Sequence, residues 1–190
     1  MGAVVVIAGI DVGGVKKGFH VSVLDSDIGF VDLHNFHSTE GISDYLRGFD
    51  SLKLIAIDCP PRAQINGPRT RLAERQINQA GFKVQWTRRL PLEPDEWMLN
   101  GEKLWKSLEK FSPQVQLIET FPTIVSRELG DCELVLPLKL LRGGQVERAG
   151  YKDFIDSCLC AWAGMRYQNG EARGFGQDGD EVDELGIIWC

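Results

Sequence analysis

The stretch IAGIDVGGVKKG, residues 7–18, joins an apolar run to a carboxylate and then to a glycine turn. A continuous apolar run is typical of a strand that is buried on both faces of a sheet. Gly13 and Gly14 supply the turn that ends this strand, and Asp11 stands between the strand and the turn. An aspartate in that position either forms the turn or holds a ligand, and the rest of the chain must decide between these alternatives.

Two alternating segments follow, GFHVSVLD (18–25) and FVDLHNFH (30–37), and they predict an antiparallel meander of three strands. Further short buried strands are predicted at KLIAIDCPP (53–61) and QVQLIETFP (114–122). The closing LGIIWC is predicted to be an edge strand. Helical patterns occur after Thr39 and over residues 69–81, 95–111 and 151–168.

This order of elements predicts one α/β domain over residues 1–190, with an insertion between its middle elements. The first, fourth and fifth strands are expected to be parallel, because helical crossovers join them. With 43% apolar and 25% charged residues, the composition is that of an ordinary globular protein.

The sequence predicts a cytoplasmic protein that does not enter a membrane. It has no apolar run of about 18 residues, which a membrane span would need, and its N-terminus lacks the pattern of a signal peptide. The number of cysteines is odd and none are spaced as CxxC, so we expect reduced thiols rather than disulfides or a zinc site. The five cysteines are Cys59, Cys132, Cys158, Cys160 and Cys190.

The net charge of −6 argues against strong non-specific binding of nucleic acid over the whole surface. The charge is uneven, however. Residues 61–89 carry seven basic residues and one acidic residue, whereas residues 171–184 carry six acidic residues and one basic residue. The basic segment is either a solvated helix and loop or a local phosphate-binding face.

Three carboxylates are predicted to meet at one edge of the sheet. Asp11, Asp58 and Glu119 each end a strand of the parallel set, and function collects at the carboxyl ends of such strands. Asp153 and Asp156, three residues apart on the last helix, could bring a further acid to the same cleft. Converging carboxylates repel one another unless a cation lies among them, and Mg²⁺ or Mn²⁺ suits such oxygen ligands.

Each of these acids also has an ordinary structural alternative. Asp58, like Asp11, can be a turn residue. Glu119 can cap the helix that follows it, and Asp153 can be favoured by the dipole at the start of its own helix. Four separate structural explanations are less convincing than one common explanation, because a single fold would bring all of these acids together.

Five segments, GIDVGG, AIDCPP, RLAER, IETFP and DFIDSCLCAWAG, together resemble a family of predicted nucleases in their order and spacing. The tail DELGIIWC is similar to the closing strand of that family. The family is known mostly as a domain of unknown function and has an RNase H-like fold. The resemblance implies a mixed five-stranded sheet, three antiparallel strands then parallel strands, with flanking helices and a two-metal phosphodiesterase site.

By motif position, the resemblance implies that Asp11, Asp58 and Asp156 are the catalytic, metal-binding acids. Glu119 matches a further glutamate of the family and is the fourth candidate catalytic acid. Asp153 paired with Asp156 is similar to the double aspartate of Holliday-junction resolvases and is the fourth candidate metal ligand. Arg71 and Arg75, with Glu74 between them, match a helix of the family that either binds phosphate or forms a buried ion pair.

The candidate residues for binding the substrate are therefore Arg69, Arg71, Arg75, Lys16 and Lys17. The expected partner is DNA or RNA, and the oligomeric state stays open, with a homo-oligomer among the alternatives. Two other functions compete with a nuclease. An ATP-binding phosphotransferase of the actin or sugar-kinase type also reads Gly-Ile-Asp-x-Gly-Gly after its first strand, but it needs two such domains. The other is a scaffold that kept the RNase H-like fold without activity.

Overall fold

The computed structural model describes residues 4–66, 69–111, 113–129 and 148–190. The prediction that Cys132 is a reduced thiol lies outside these residues, while the other four cysteines are buried and free. The strands are β1 (Val6–Val12), β2 (Phe19–Asp25), β3 (Gly29–Phe36), β4 (Leu52–Asp58), β5 (Gln64–Ile65), β6 (Arg88–Arg89), β7 (Gln116–Thr120), β8 (Gly174–Phe175), β9 (Gln177–Asp178), β10 (Glu181–Val182) and β11 (Ile188–Trp189). The helices are α1 (Thr39–Leu46), α2 (Leu72–Gln79), α3 (Glu96–Leu108), α4 (Pro122–Glu128) and α5 (Arg148–Gln168).

The main sheet has the order β3-β2-β1-β4-β7-β11-β8. β1, β2 and β3 are antiparallel neighbours, whereas β4 pairs parallel with β1, and β7 pairs parallel with β4. The α/β class and the mixed sheet of three antiparallel strands followed by parallel strands are therefore confirmed.

The predicted number of strands and the predicted position of the last strand are wrong. The sheet has seven strands rather than five. The closing strand β11 is not an edge strand, because it lies between β7, with which it is parallel, and the short antiparallel β8. Two backbone hydrogen bonds between Arg173 and Cys190, of 2.8 and 2.9 Å, extend the pairing of β8 with β11. The glycine-rich segment before β11 thus supplies the edge strand β8. This strand has only two residues, which is too short to show an alternation of apolar and polar residues in the sequence.

Alternate residues of the central strands face different helices. Ile10 and Val12 of β1 pack with Ile42 of α1 and Leu104 of α3. Ile7, on the other face, packs with residues of α5 such as Ala161. Because successive side chains of a strand point to opposite faces, Gly9 and Asp11 share the α5 face with Ile7.

A row of small residues lets α5 lie directly on this face of the sheet. Gly9 is the register partner of Ala56 on β4 and of Ser22 on β2. A Cβ atom at Gly9 would lie 2.1 Å from the carbonyl oxygen of Ser157 and 2.2 Å from the backbone nitrogen of Ala161. The Ser22 hydroxyl donates to the same Ser157 carbonyl at 2.7 Å. The distance between β1 and α5 is thus fixed by backbone contact.

The turn between β1 and β2 is closed by its glycines. The Gly13 N–H donates to the Gly18 carbonyl at 2.8 Å, and the Gly18 N–H donates to the Gly14 carbonyl at 2.9 Å. Gly18 has a φ of 71°, which residues with a side chain rarely adopt.

Among the helices of the described ranges, none combines the length and apolar content needed to cross a membrane.

Candidate metal centre

Three polar residues form a row across β4, β1 and β2. Asp11 is the register partner of Asp58 on one side and of His20 on the other. Register partners point to the same face of a sheet, so this row lies on the α5 face, next to the row of small residues. Asp11 is 8% exposed and His20 is 6% exposed. Asp58, the last residue of β4, is half-buried.

Helix α5 brings two more carboxylates to this row. Asp153 is buried and Asp156 is half-buried. A lysine neutralises each of them: Lys17 lies 3.0 and 3.1 Å from the two Asp153 oxygens, and Lys152 is hydrogen-bonded to Asp156. Within the described part of the chain, the Asp11 and Asp58 carboxylates accept no hydrogen bond, and the Nδ1 atom of His20 lies 3.6 Å from Asp11 Oδ2.

The electrostatics follow from this crowding. Burial raises the pKa of Asp58 well above its usual value, and the neighbouring Asp11 and Asp156 carboxylates raise it further, while Lys152 opposes them. The pKa of Asp156 is also raised, chiefly by burial, although its ion pair with Lys152 acts in the other direction. Without a further cation, a fully ionised cluster is thus unfavourable.

These positions answer the question that the opening stretch raises. Asp11 lies inside β1, and the turn after it is closed by backbone groups, so Asp11 is not the residue that forms the turn. Asp153 does not belong to the first turn of α5, because the helix already begins at Arg148. Glu119 does not cap α4, because the N-cap residue is Phe121 and no side-chain hydrogen bond caps this helix.

Glu119 is placed apart from the row. It is the register partner of Ile57 rather than of Asp58, which puts its side chain on the opposite face of the sheet. There Arg71 donates to both Glu119 oxygens at 2.8 Å and to Asp183 at 3.0 Å. Burial lowers the pKa of Arg71, but the two carboxylates outweigh this and raise it overall, so the guanidinium stays charged. For Arg71, the structure favours the buried ion pair over phosphate binding.

The other predicted basic residues are more accessible. Arg75 is half-buried, donates to the Thr70 carbonyl and lies 3.6 Å from Glu181. Arg69 and Lys16 are exposed, and neither forms an ion pair with a described residue. Lys17 is 61% exposed at its side chain, although its ammonium group lies on Asp153.

A cleft of about 350 Å³ opens beside Asp58. Its walls include the apolar side chains of Trp97 and Phe121, together with the turn glycines Gly13 and Gly14. Glu74 of α2 also lines the cleft and accepts a hydrogen bond from the Thr87 N–H at 2.8 Å. A planar group could therefore lie against aromatic side chains while a charged group faces Asp58.

No family model and no curated protein matches this chain. Among solved structures, T. thermophilus RuvC in complex with a Holliday junction substrate has a TM-score of 0.47 and 12% sequence identity to it. The match covers 88% of this chain and 97% of the RuvC chain. Similarity at this level assigns no role to individual residues of this chain.

His20 is the residue of this centre that the sequence did not single out. Asp11, His20 and Asp153 each offer an atom that could bind a metal ion, and these atoms lie within 4.8 Å of one another. Because alternate residues of a strand share a face, GFHVSVLD predicts that His20, Ser22 and Leu24 point the same way. The sequence does not show which residue of a neighbouring strand lies opposite His20. Its pairing with Asp11 depends on the length of the turn between β1 and β2.

Proposed function

We propose that this protein is a metal-dependent nuclease that hydrolyses phosphodiester bonds of DNA or RNA. The observation that carries the proposal is the register pairing of Asp11 with Asp58 under α5, where Asp156 adds a third carboxylate and Asp58 bears a raised pKa. Carboxylates held this close without hydrogen-bond donors are arranged for a cation rather than for each other.

Asp11, Asp58 and Asp156 would hold Mg²⁺ or Mn²⁺, with Asp153 as an additional ligand. The fit is supported by the donor set, because hard divalent cations prefer carboxylate oxygens and the Asp11 and Asp58 oxygens accept no hydrogen bond from the described residues. When bound, such an ion lowers the pKa of a water molecule and stabilises negative charge on the phosphoryl oxygens.

The side chains around these acids have supporting roles. Lys152 offsets the charge of Asp156. Our candidates for contacts with phosphate groups are Lys16 and Lys17 in the turn after β1, Arg69 before α2 and Arg75 within α2. Trp97 and Phe121 offer faces on which a base can stack. Glu119 is left out of the ligand set because Arg71 occupies both of its oxygens.

The test is a cleavage screen with Mg²⁺ and with Mn²⁺ over single strands, duplexes, RNA–DNA hybrids and branched junctions. We expect wild-type protein to cleave at least one of these substrates, and EDTA to stop the cleavage. Asp58→Asn removes a ligand with little change in size and should lower the rate by about 10²-fold or more. The matched control is Asp50→Asn, since Asp50 is exposed and has no ion pair with a described residue.

Three results would contradict the proposal: no cleavage of any substrate with either ion, cleavage that EDTA does not affect, or equal rates for Asp58→Asn and wild type. A shift in melting temperature with ATP but no cleavage would favour the phosphotransferase alternative. If the protein neither cleaves nor responds to nucleotide, the non-catalytic scaffold is favoured.

A further inference from the structure

The imidazole of His20 is buried, and one of its two nitrogens has no partner. Nδ1 makes no hydrogen bond with the described residues, although it is inaccessible to solvent. The Nε2 atom lies 3.0 Å from the side-chain nitrogen of Asn35, and Phe154 of α5 packs edge-on against the ring with centroids 4.8 Å apart. A buried polar atom without a partner is costly, so its retention at this position needs an explanation.

The unpartnered Nδ1 atom points at carboxylates. It lies 3.6 Å from Asp11 Oδ2, and ligand atoms of Asp11, His20 and Asp153 lie within 4.8 Å of one another. These three residues come from β1, β2 and α5, which all pack through backbone contacts at Gly9 and Ser22. The three ligand atoms are therefore held by rigid elements rather than by loops.

We propose that Asp11, His20 and Asp153 form a second cation site, which takes a transition-metal ion in preference to Mg²⁺. The site shares Asp11 and Asp153 with the nuclease centre proposed above but uses neither Asp58 nor Asp156. Its donor set of one imidazole nitrogen and two carboxylates determines which metal ion the site prefers. Carboxylates alone suit Mg²⁺, whereas imidazole is a ligand for ions such as Co²⁺, Ni²⁺ and Zn²⁺.

Lys17 competes with the metal ion for this site. Its ammonium group lies on both Asp153 oxygens, and its carbonyl accepts a hydrogen bond from the Asn35 side chain at 3.1 Å. A divalent ion at Asp153 must displace the ammonium group, which is free to leave because the Lys17 side chain is 61% exposed. Lys17 thus acts as the counter-ion that the site exchanges for a metal.

Asn35 holds the ring from the side opposite the carboxylates. Its side-chain nitrogen lies 3.0 Å from Nε2 and also donates to the Lys17 carbonyl at 3.1 Å. Nδ1 is therefore the ring nitrogen that is left to bind a metal ion. An outer partner of this kind commonly orients a histidine ligand.

The experiment is a calorimetric titration of the full chain with Co²⁺ and, separately, with Mg²⁺. We expect His20→Gln to weaken Co²⁺ binding by about tenfold or more, with a smaller effect on Mg²⁺ binding. His34→Gln is the matched control, since His34 is exposed and lies on the neighbouring strand β3. Equal Co²⁺ affinities for wild type and His20→Gln would overturn the proposal.

Lys17→Ala gives an independent test on a residue whose loss cannot disturb the core. Removal of the competing ammonium group should raise the Co²⁺ affinity by about two- to fivefold, because a partly exposed ion pair is weak. Lys16→Ala, one residue earlier in the same turn, should leave the affinity unchanged, and equal affinities for Lys17→Ala and wild type would count against the site. Co²⁺ binding that depends on His20 in a protein that cleaves no nucleic acid would retain this site while the nuclease proposal fails.

Discussion

At the scale of single residues, Asp58 and Arg71 show opposite ways of burying a charge. Arg71 meets two carboxylates with three of its nitrogens and is only 2% exposed. Asp58 meets other acids instead, and its nearest neighbours across the sheet and on α5 raise its pKa. The Arg71 cluster is therefore a structural ion pair, whereas the Asp58 cluster carries an unfavourable charge that a cation or a proton relieves.

The raised pKa of Asp58 predicts how the stability of the metal-free protein depends on pH. The folded state keeps a proton that the unfolded chain releases above the ordinary value of 3.8. The contribution of Asp58 to the free energy of unfolding is therefore largest below that value and is lost as the pH rises through the folded-state pKa. In EDTA, Asp58→Asn should show a smaller loss of stability than wild type between about pH 4 and pH 8.

This measurement needs urea unfolding at several pH values for three proteins. Asp50→Asn is the matched control, because the Asp50 side chain is exposed and forms no ion pair with a described residue. Parallel curves for wild type and Asp58→Asn would show that Asp58 is not perturbed by Asp11 and Asp156.

Arg71→Met should destabilise the protein strongly. The change leaves Glu119 and Asp183 buried without their partner, and loss of one member of a buried ion pair costs about 3–5 kcal/mol. Arg75→Met, on the same helix edge, should cost no more than about 1 kcal/mol, since its partner Glu181 is largely exposed. Urea unfolding separates the two, and similar losses for both variants would reopen the phosphate-binding alternative for Arg71.

At the scale of elements, the contact between β1 and α5 sets the dimensions of the metal centre. The strand supplies Asp11, the helix supplies Asp153 and Asp156, and both approach through Gly9. The row of small residues and the row of polar residues are adjacent on the same face of the sheet. Packing in the first row therefore controls geometry in the second.

Gly9→Ala should damage both stability and metal binding. The new methyl group would meet backbone atoms of α5 that cannot move independently, and overpacking of this kind costs about 1–3 kcal/mol. We also expect a smaller rise in melting temperature with Mn²⁺, because α5 must move away from Asp11. Gly48→Ala is the control, since its added atom would meet only the Tyr45 carbonyl oxygen, at 3.2 Å. A Gly9→Ala protein as stable as this control would contradict the role of the contact.

The sequence predicted that Asp11 and Asp58 meet at one edge of the sheet, but it did not predict the register of the strands, and it wrongly placed Glu119 with them. Asp11 and Asp58 both end apolar runs, and the carboxyl ends of neighbouring parallel strands must meet. Whether a side chain at a strand end faces α5 or the other layer depends on a shift of one residue, which a hydrophobic run buried on both faces does not specify. That is why the partner of Glu119 and the position of His20 could be learned only from the structure.

At the scale of the whole molecule, the two segments of opposite charge pair with each other. Arg71, Arg75 and Arg62 of the basic segment lie near Asp183, Glu181 and Glu184 of the acidic one, respectively. Asp183 also accepts hydrogen bonds from the N–H groups of Ala73 and Leu185, both at 2.9 Å. Much of the basic segment therefore fastens the last part of the chain to α2 rather than forming a free cationic face.

The charges that remain available predict a modest dependence of nucleic-acid binding on salt. Lys16→Glu combined with Arg69→Glu should weaken binding about equally for all sequences and should reduce the salt slope by roughly one unit per lost phosphate contact. Arg47→Glu, on the far helix α1, should do neither. Binding curves at several salt concentrations test this, and an unchanged slope in the double variant would remove both residues from the proposed interface.

The acids of the metal centre lie far apart in the chain, on β1, β4 and α5. During synthesis, Asp11 and Asp58 leave the ribosome well before α5 has been translated. A nascent chain therefore holds only part of the ligand set and cannot assemble the centre until its later half emerges and docks on Gly9. Under the proposed nuclease function, the order of translation alone thus keeps an unfinished copy of this protein inert toward nucleic acid.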